Sequence, residues 1–89
     1  MRIVKPNFEI IKDDIDDYPF IVVPITTGSE TTHRRRARGH LNDLGLKKFR
    51  FKPNPFKRFI EHNGVYTEGQ AFFFDFVNKA HRKTLKEIR

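Results

Sequence analysis

Apolar residues at the start of the chain (Ile3, Val4, Phe8, Ile10 and Ile11) alternate loosely with charged ones, and Pro6 interrupts them. This pattern predicts an edge strand or two short strands over 2–12, because proline donates nothing to a sheet ladder. The acidic stretch 13–17 reads as a turn. Residues 19–25 (PFIVVPI) are continuous and β-branched, as in a strand buried on both faces, with Pro24 placing its end near an edge. Residues 26–31 (TTGSET) have no apolar period and read as a loop.

From Thr32 the period lengthens. Ala37, Leu41 and Leu44 are spaced i, i+4, i+7. With Thr31 or Thr32 as the cap and Gly45 closing the end in a left-handed conformation, they predict a helix over 32–44. Residues 46–52 (LKKFRFK) return to period two. Phe49 and Phe51 share one face and Lys48, Arg50 and Lys52 the other, giving a half-buried strand with a basic outer face. The stretch PNPFKRFIEHNGVY has two readings. Asn54 as cap, Pro55 at the first helical position and Gly64 as terminator describe a short helix, whereas Asn63-Gly64 is a hairpin signal with strands 57–62 and 65–70 around it. The helix is the preferred reading.

Thr67 and Gln70 match a capping box. Beyond them Phe73, Phe76, Val77, Ala80, Leu85 and Ile88 fall in one helical arc, so a long helix is predicted over 68–88. The cluster FFFDF at 72–76 cannot place all four rings on one side of a helix, and is read chiefly as core with a ring left over for a flank or a partner. The expected fold is α+β in a single domain, 1–89. A small antiparallel sheet of about three strands packs against the long C-terminal helix, with one or two shorter helices.

Charge changes the picture more than composition does. The 89 residues allow one small core. No apolar run is long enough to span a bilayer, and MRIVKPNF lacks the features of a secretory signal, so a cytoplasmic location is expected. The absence of cysteine excludes disulfides, thiolate nucleophiles and cysteine-built metal sites. The net charge of +7 sits in one segment. Residues 1–30 carry three basic and six acidic side chains, whereas residues 31–60 carry ten basic ones against Asp43 alone. A localised excess raises the potential over one patch and makes a polyanion the expected partner class.

The candidate contacts are Arg34, Arg35, Arg36, Arg38, Lys48, Arg50, Lys52, Lys57 and Arg58. Three arginines in the first turn of a helix beginning at Thr32 would oppose the helix dipole unless an anion sat there. The expected function is nucleic-acid binding through an Arg-rich helix start and a basic strand face, leaning to RNA or single strands because Tyr66, Phe56 or Phe72 could stack on unpaired bases. One alternative is a small regulator or inhibitor that binds a protein partner through the basic patch and the Phe cluster. A second is a metal-independent, toxin-type ribonuclease, with His33, His40, His62 or Tyr66 as acid and base and the arginines stabilising the phosphorane.

Binding without catalysis is the leading expectation. No metal site is expected, since His33 and His40 are seven residues apart and no close histidine pair occurs. No cofactor is expected, because neither phosphate-binding glycine motif is present. The opening MRIVKPNFEI resembles the first strand of some flavin-dependent thymidylate synthases over ten residues. THRRRARGH does not reproduce that family's arginine–histidine flavin signature, so the resemblance implies nothing for fold, cofactor or activity here.

Overall fold

In the computed structural model, residues 2–5, 7–11, 18–25, 28–62, 64–77, 83 and 85 are described. The opening forms two strands, β1 (Arg2–Lys5) and β2 (Phe8–Ile11), paired antiparallel with Ile3 opposite Ile10. The strand predicted over 19–25 is β3 (Phe20–Pro24), buried throughout. Its Ile25 N–H reaches Glu68 O on the far side, so the nitrogen of Pro24 turns towards β2. The register of β2 with β3 already ends at Glu9–Val22. Proline therefore sits where no ladder donor is needed.

The helix α1 runs from Glu30 to Asp43, with Ser29 at its N-cap making no side-chain capping bond. It begins two residues before the predicted start, so Thr31 and Thr32 lie inside it and do not cap it. Its end follows the prediction. Gly45 has φ +85°, its N–H donates to Asn42 O, and the Leu46 N–H donates to Leu41 O. Leu41 and Leu46 pack together in the core, completing a Schellman closure with its hydrophobic contact.

Two predicted helices are strands. β4 (Phe49–Phe51), β5 (Phe56–His62) and β6 (Val65–Phe76) complete a six-stranded antiparallel sheet. The short helix expected over the stretch beginning at Asn54 is instead β5 and the start of β6, with Gly64 at φ +77° in the turn between them. Asn54 caps nothing. It takes φ +68° in the bend between β4 and β5, a conformation asparagine tolerates.

The long C-terminal helix predicted from 68 is overturned through Phe76. β6 places Phe72, Phe74 and Phe76 in the core beneath α1, while Ala71 packs in a cluster on the opposite face. Period two accommodates the four rings that one helical side could not. Thr67 and Gln70 cap no helix. Thr67 Oγ1 donates to Val65 O and Gln70 Nε2 donates to Phe56 O. The part of that prediction beyond residue 77 lies outside the described residues, apart from helical Lys83 and Leu85, the latter buried in the core. The predicted acidic turn at 13–17 also lies outside them.

The topology explains where α1 sits. The strand order is β1-β2-β3-β6-β4, with β5 also on β6. β3 and β4 are both antiparallel to β6 and hence parallel to each other. Parallel strands need a crossover connection, and α1 supplies it, laying His33, Ala37 and Leu41 over the sheet. β5 pairs residues 65–71 of β6 and β4 pairs residues 74–76.

On the face away from α1, Phe20, Val22, Ile60 and Ala71 form a second cluster. Strands either side of a common neighbour in a flat sheet lie about 9.5 Å apart, yet Cα atoms of β3 and β5 come within 8 Å. The sheet therefore coils. It does so around Gly69, where a Cβ would lie 2.5 Å from Val22 Cγ1 and 3.0 Å from Arg58 O.

Candidate functional site

Because α1 begins at Glu30, the arginines of THRRRARGH lie in its second and third turns and not at its N-terminus. The predicted combination of arginines with free first-turn N–H groups is absent. Position on the wheel sorts them instead. His33, Ala37 and Leu41 face the sheet, Arg34 and Arg38 lie on the flank towards β6 and β4, and Arg35 and Arg36 are exposed. The Arg34 guanidinium sits 5.8 Å from the centre of the Phe72 ring and that of Arg38 5.8 Å from Phe51. The long aliphatic stems thus cover apolar surface while the charged heads reach its rim.

That rim is a groove. Arg34 and Arg38 from α1, Phe49, Arg50 and Phe51 from β4, and the following Lys52 and Pro53 line this open groove of about 460 Å³. Sequence reasoning expected helix and strand to bring their cations together if they packed side by side, and four of the nine predicted residues line this groove, Arg50 and Lys52 from the face of β4 opposite Phe49 and Phe51. Lys52 Nζ lies 4.4 Å from the centre of the Tyr18 ring. Glu30 is an acidic group held against the site, 3.4 Å from Arg34 in an exposed pair. Asp75 lies across from Arg50 in the register, and its Oδ1 accepts the Phe76 N–H at 2.8 Å.

The remaining predicted cations lie elsewhere. Lys57 and Arg58 are on β5, pointing to opposite faces. Lys57 pairs with Glu68 at 3.4 Å, and Arg58 stands 5.5 Å from the centre of Phe20 on the face away from α1. Lys48 is exposed, with φ +55° just before β4.

Of the predicted acid and base residues, His33, His40 and Tyr66 do not line the groove. His33 is 3% exposed, and neither ring nitrogen has a hydrogen-bond partner among the described residues. Leaving such a group unpaired costs about 1–3 kcal/mol. His40 stacks on Phe8 with ring centroids 4.4 Å apart. Burial holds its pKa below the ordinary 6.5, reinforced by Arg36 and opposed by Asp43. His62 ends β5, and its side chain lies outside the described residues. Tyr66 is on β6 near the hairpin turn, 74% exposed. Among the described residues, no cluster of three or more histidine or carboxylate side chains could hold a metal ion.

Of the predicted stacking rings, Phe72 is buried in the core and Phe56 packs against Phe20 and Phe73. The Phe cluster is likewise unavailable as a protein-binding anchor, because Phe72, Phe74 and Phe76 are core and Phe73 is half-buried. One aromatic the sequence reading missed is Phe59, 55% exposed and stacked on Tyr66 with centroids 5.5 Å and planes 11° apart. Its signal was present in the hairpin reading of Asn63-Gly64, which brings residues 59 and 66 to neighbouring places on one face. No protein-family model matches this chain, and comparison with curated proteins and with solved structures likewise finds no match.

Proposed function

We propose that this chain is a cytoplasmic nucleic-acid-binding module that grips phosphates at the groove between α1 and β4. One observation carries the reading. Arg34 and Arg38 of α1 and Arg50 and Lys52 at β4 line one groove at the β4 edge, the pair from β4 alternating with Phe49 and Phe51 and rising from the other face of the strand. Arginine guanidinium groups bind phosphate oxygens through paired N–H donors, and lysine adds a point charge. The half-buried rings of Phe49 and Phe51 add apolar surface to the groove, and a lower local dielectric strengthens charge–charge attraction beside it. Arg35 and Arg36, on the outer side of α1, extend the positive field and raise the rate of encounter. A cytoplasmic location belongs to the same reading, because the ligand is found there.

The geometry supports this above the two alternatives. The ribonuclease reading needs an acid and a base beside the bound phosphate, and neither His33 nor His40, the histidines whose side chains are described, lines the groove. The protein-partner reading drew on rings that are largely core. The test compares two charge reversals. Arg38→Glu, Arg50→Glu and Lys52→Glu together, and Lys5→Glu, Lys57→Glu and Arg58→Glu together on β1 and β5 outside the groove, each take the formal charge from +7 to +1. Affinity for a labelled oligonucleotide at moderate salt is expected to fall at least about tenfold further for the groove triple than for the control triple. Equal losses would mean that net charge alone attracts the ligand and that the groove has no part in it.

A further inference from the structure

Among the described residues, β1, β4 and β5 each pair along one edge only. β1 has four residues and β4 three, which makes them poor templates for a further strand. β5 has seven residues and no proline, and its register with β6 is unbroken by a bulge. Nothing in the strand itself turns its outer edge away.

The groups on that edge follow from the pairing. Arg58 O lies beside Gly69 of β6, and Phe56 O accepts a bond from Gln70 of β6. Both carbonyls therefore point inward. Successive residues of an antiparallel strand turn their backbone groups alternately to the two sides, so the N–H and C=O groups of Lys57, Phe59 and Glu61 point outward. Their side chains share one face, and all three residues are exposed.

Lys, Phe and Glu at this spacing are self-complementary. Set antiparallel against a second copy with Phe59 opposite Phe59, the edge brings Lys57 opposite Glu61 at both ends. Outward groups then meet outward groups, and each of the three facing pairs exchanges two hydrogen bonds. A slip of one residue sets outward groups against inward ones, and longer slips end with lysine on lysine or glutamate on glutamate. Charges that guard an edge repel every copy when they share one sign. Opposite signs placed evenly about Phe59 attract in this register. Each Lys57, 3.4 Å from its own Glu68, would lie between two carboxylates. Arg58 is on the other face, over Phe20 of its own copy. The stacked rings of Phe59 and Tyr66, 55% and 74% exposed, would meet their counterparts across the axis and lose apolar surface to water.

We propose that β5 is a self-association edge, through which two copies of this chain join their sheets about a two-fold axis at Phe59. A contact between identical patches closes on itself and stops at the dimer. Three facing pairs and four rings fall short of the ~1,000 Å² of a lasting interface, so the dimer is weak and concentration-dependent. It is independent of whether the α1–β4 groove grips phosphate.

Sedimentation velocity of the nuclease-treated full chain, from about 10 µM to 1 mM, is expected to show a mass rising from 10.6 kDa towards twice that value. Lys57→Glu sets carboxylates opposite one another at both ends of the ladder, and Glu61→Lys sets ammonium groups there. Each variant is expected to weaken self-association about tenfold or more. Mixing the two restores both ion pairs in the heterodimer, whose affinity is expected to return to within about threefold of the unsubstituted dimer. Amide hydrogen exchange of the unsubstituted chain needs no variant. With rising concentration the amides of Lys57, Phe59 and Glu61 are expected to slow, while those of Arg58 and Ile60, already facing β6, do not change.

A chain that stays at 10.6 kDa, or dimerises only before nuclease treatment, overturns the pairing. So does a dimer that neither variant weakens, that the mixture fails to restore, or whose edge amides exchange as fast as in the single chain. Should either variant lose the circular dichroism spectrum of the fold, amide exchange of the unsubstituted chain decides.

Discussion

His40 lies flat on Phe8, and the contact makes its charge state part of the fold. Burial is the leading cause of its lowered pKa, Arg36 adds to it and Asp43 opposes it. Between the lowered folded value and 6.5 the unfolded chain binds more protons at this residue than the folded chain. His40 therefore contributes stability that rises with pH through that window, a gain complete above 6.5 and absent below the folded pKa. Urea denaturation between pH 5 and 8 is expected to give a smaller rise in stability for His40→Phe than for the unsubstituted protein. Phenylalanine keeps the stack and removes the titration. Identical pH profiles would mean that His40 titrates as it does in the unfolded chain.

At the scale of the element, β6 decides most of the architecture. It pairs with β3 along one edge and with β5 and β4 in succession along the other, and its coil depends on Gly69. Ala at that position would drive a Cβ into Val22, itself fully buried, with the backbone of Arg58 close behind. The expected cost of Gly69→Ala is about 1–3 kcal/mol, in the range of core overpacking. Thermal and urea unfolding would measure it, and Val22→Ala in the same chain should recover part of the loss by making room. Additive losses in the double variant would place the strain in the Arg58 backbone and not in the Val22 side chain.

This element also shows why the sequence misleads. Thr67, Gln70 and the arc through Phe73 and Phe76 match a helix, and Ala71 with the run 72–74 gives no clean alternation. A strand buried on both faces has no polar side to alternate with, so its apolar run satisfies either period. α1, with one face on the sheet and one in water, was legible to within two residues at its start. Its Gly45 closure was legible outright, because left-handed geometry selects glycine locally.

For the whole molecule the relevant quantity is how the charge of +7 is deployed. If Arg34, Arg38, Arg50 and Lys52 each neutralise one phosphate of a single strand, log K should fall against log salt with a slope of about −3. Titration of the oligonucleotide U10 from 50 to 300 mM salt measures it. A slope near −1 would leave the groove with one phosphate contact, and one steeper than about −6 would recruit cations well beyond it.

Reading the chain alone established where positive charge is concentrated, that cysteine chemistry is excluded, and where α1 closes. These follow from residue identity and from interactions spanning a few positions. Tertiary structure decided that β6 inserts between β3 and β4, that Arg38 lies over Phe51 where α1 and β4 line a groove, that Lys57 and Arg58 part to opposite faces, and that Phe72 is core while Tyr66 is exposed. Strand partners lie up to some fifty residues apart, as Phe20 and Phe73 do. Pairing over such a separation is chosen by burial across the whole sheet, which no local window contains.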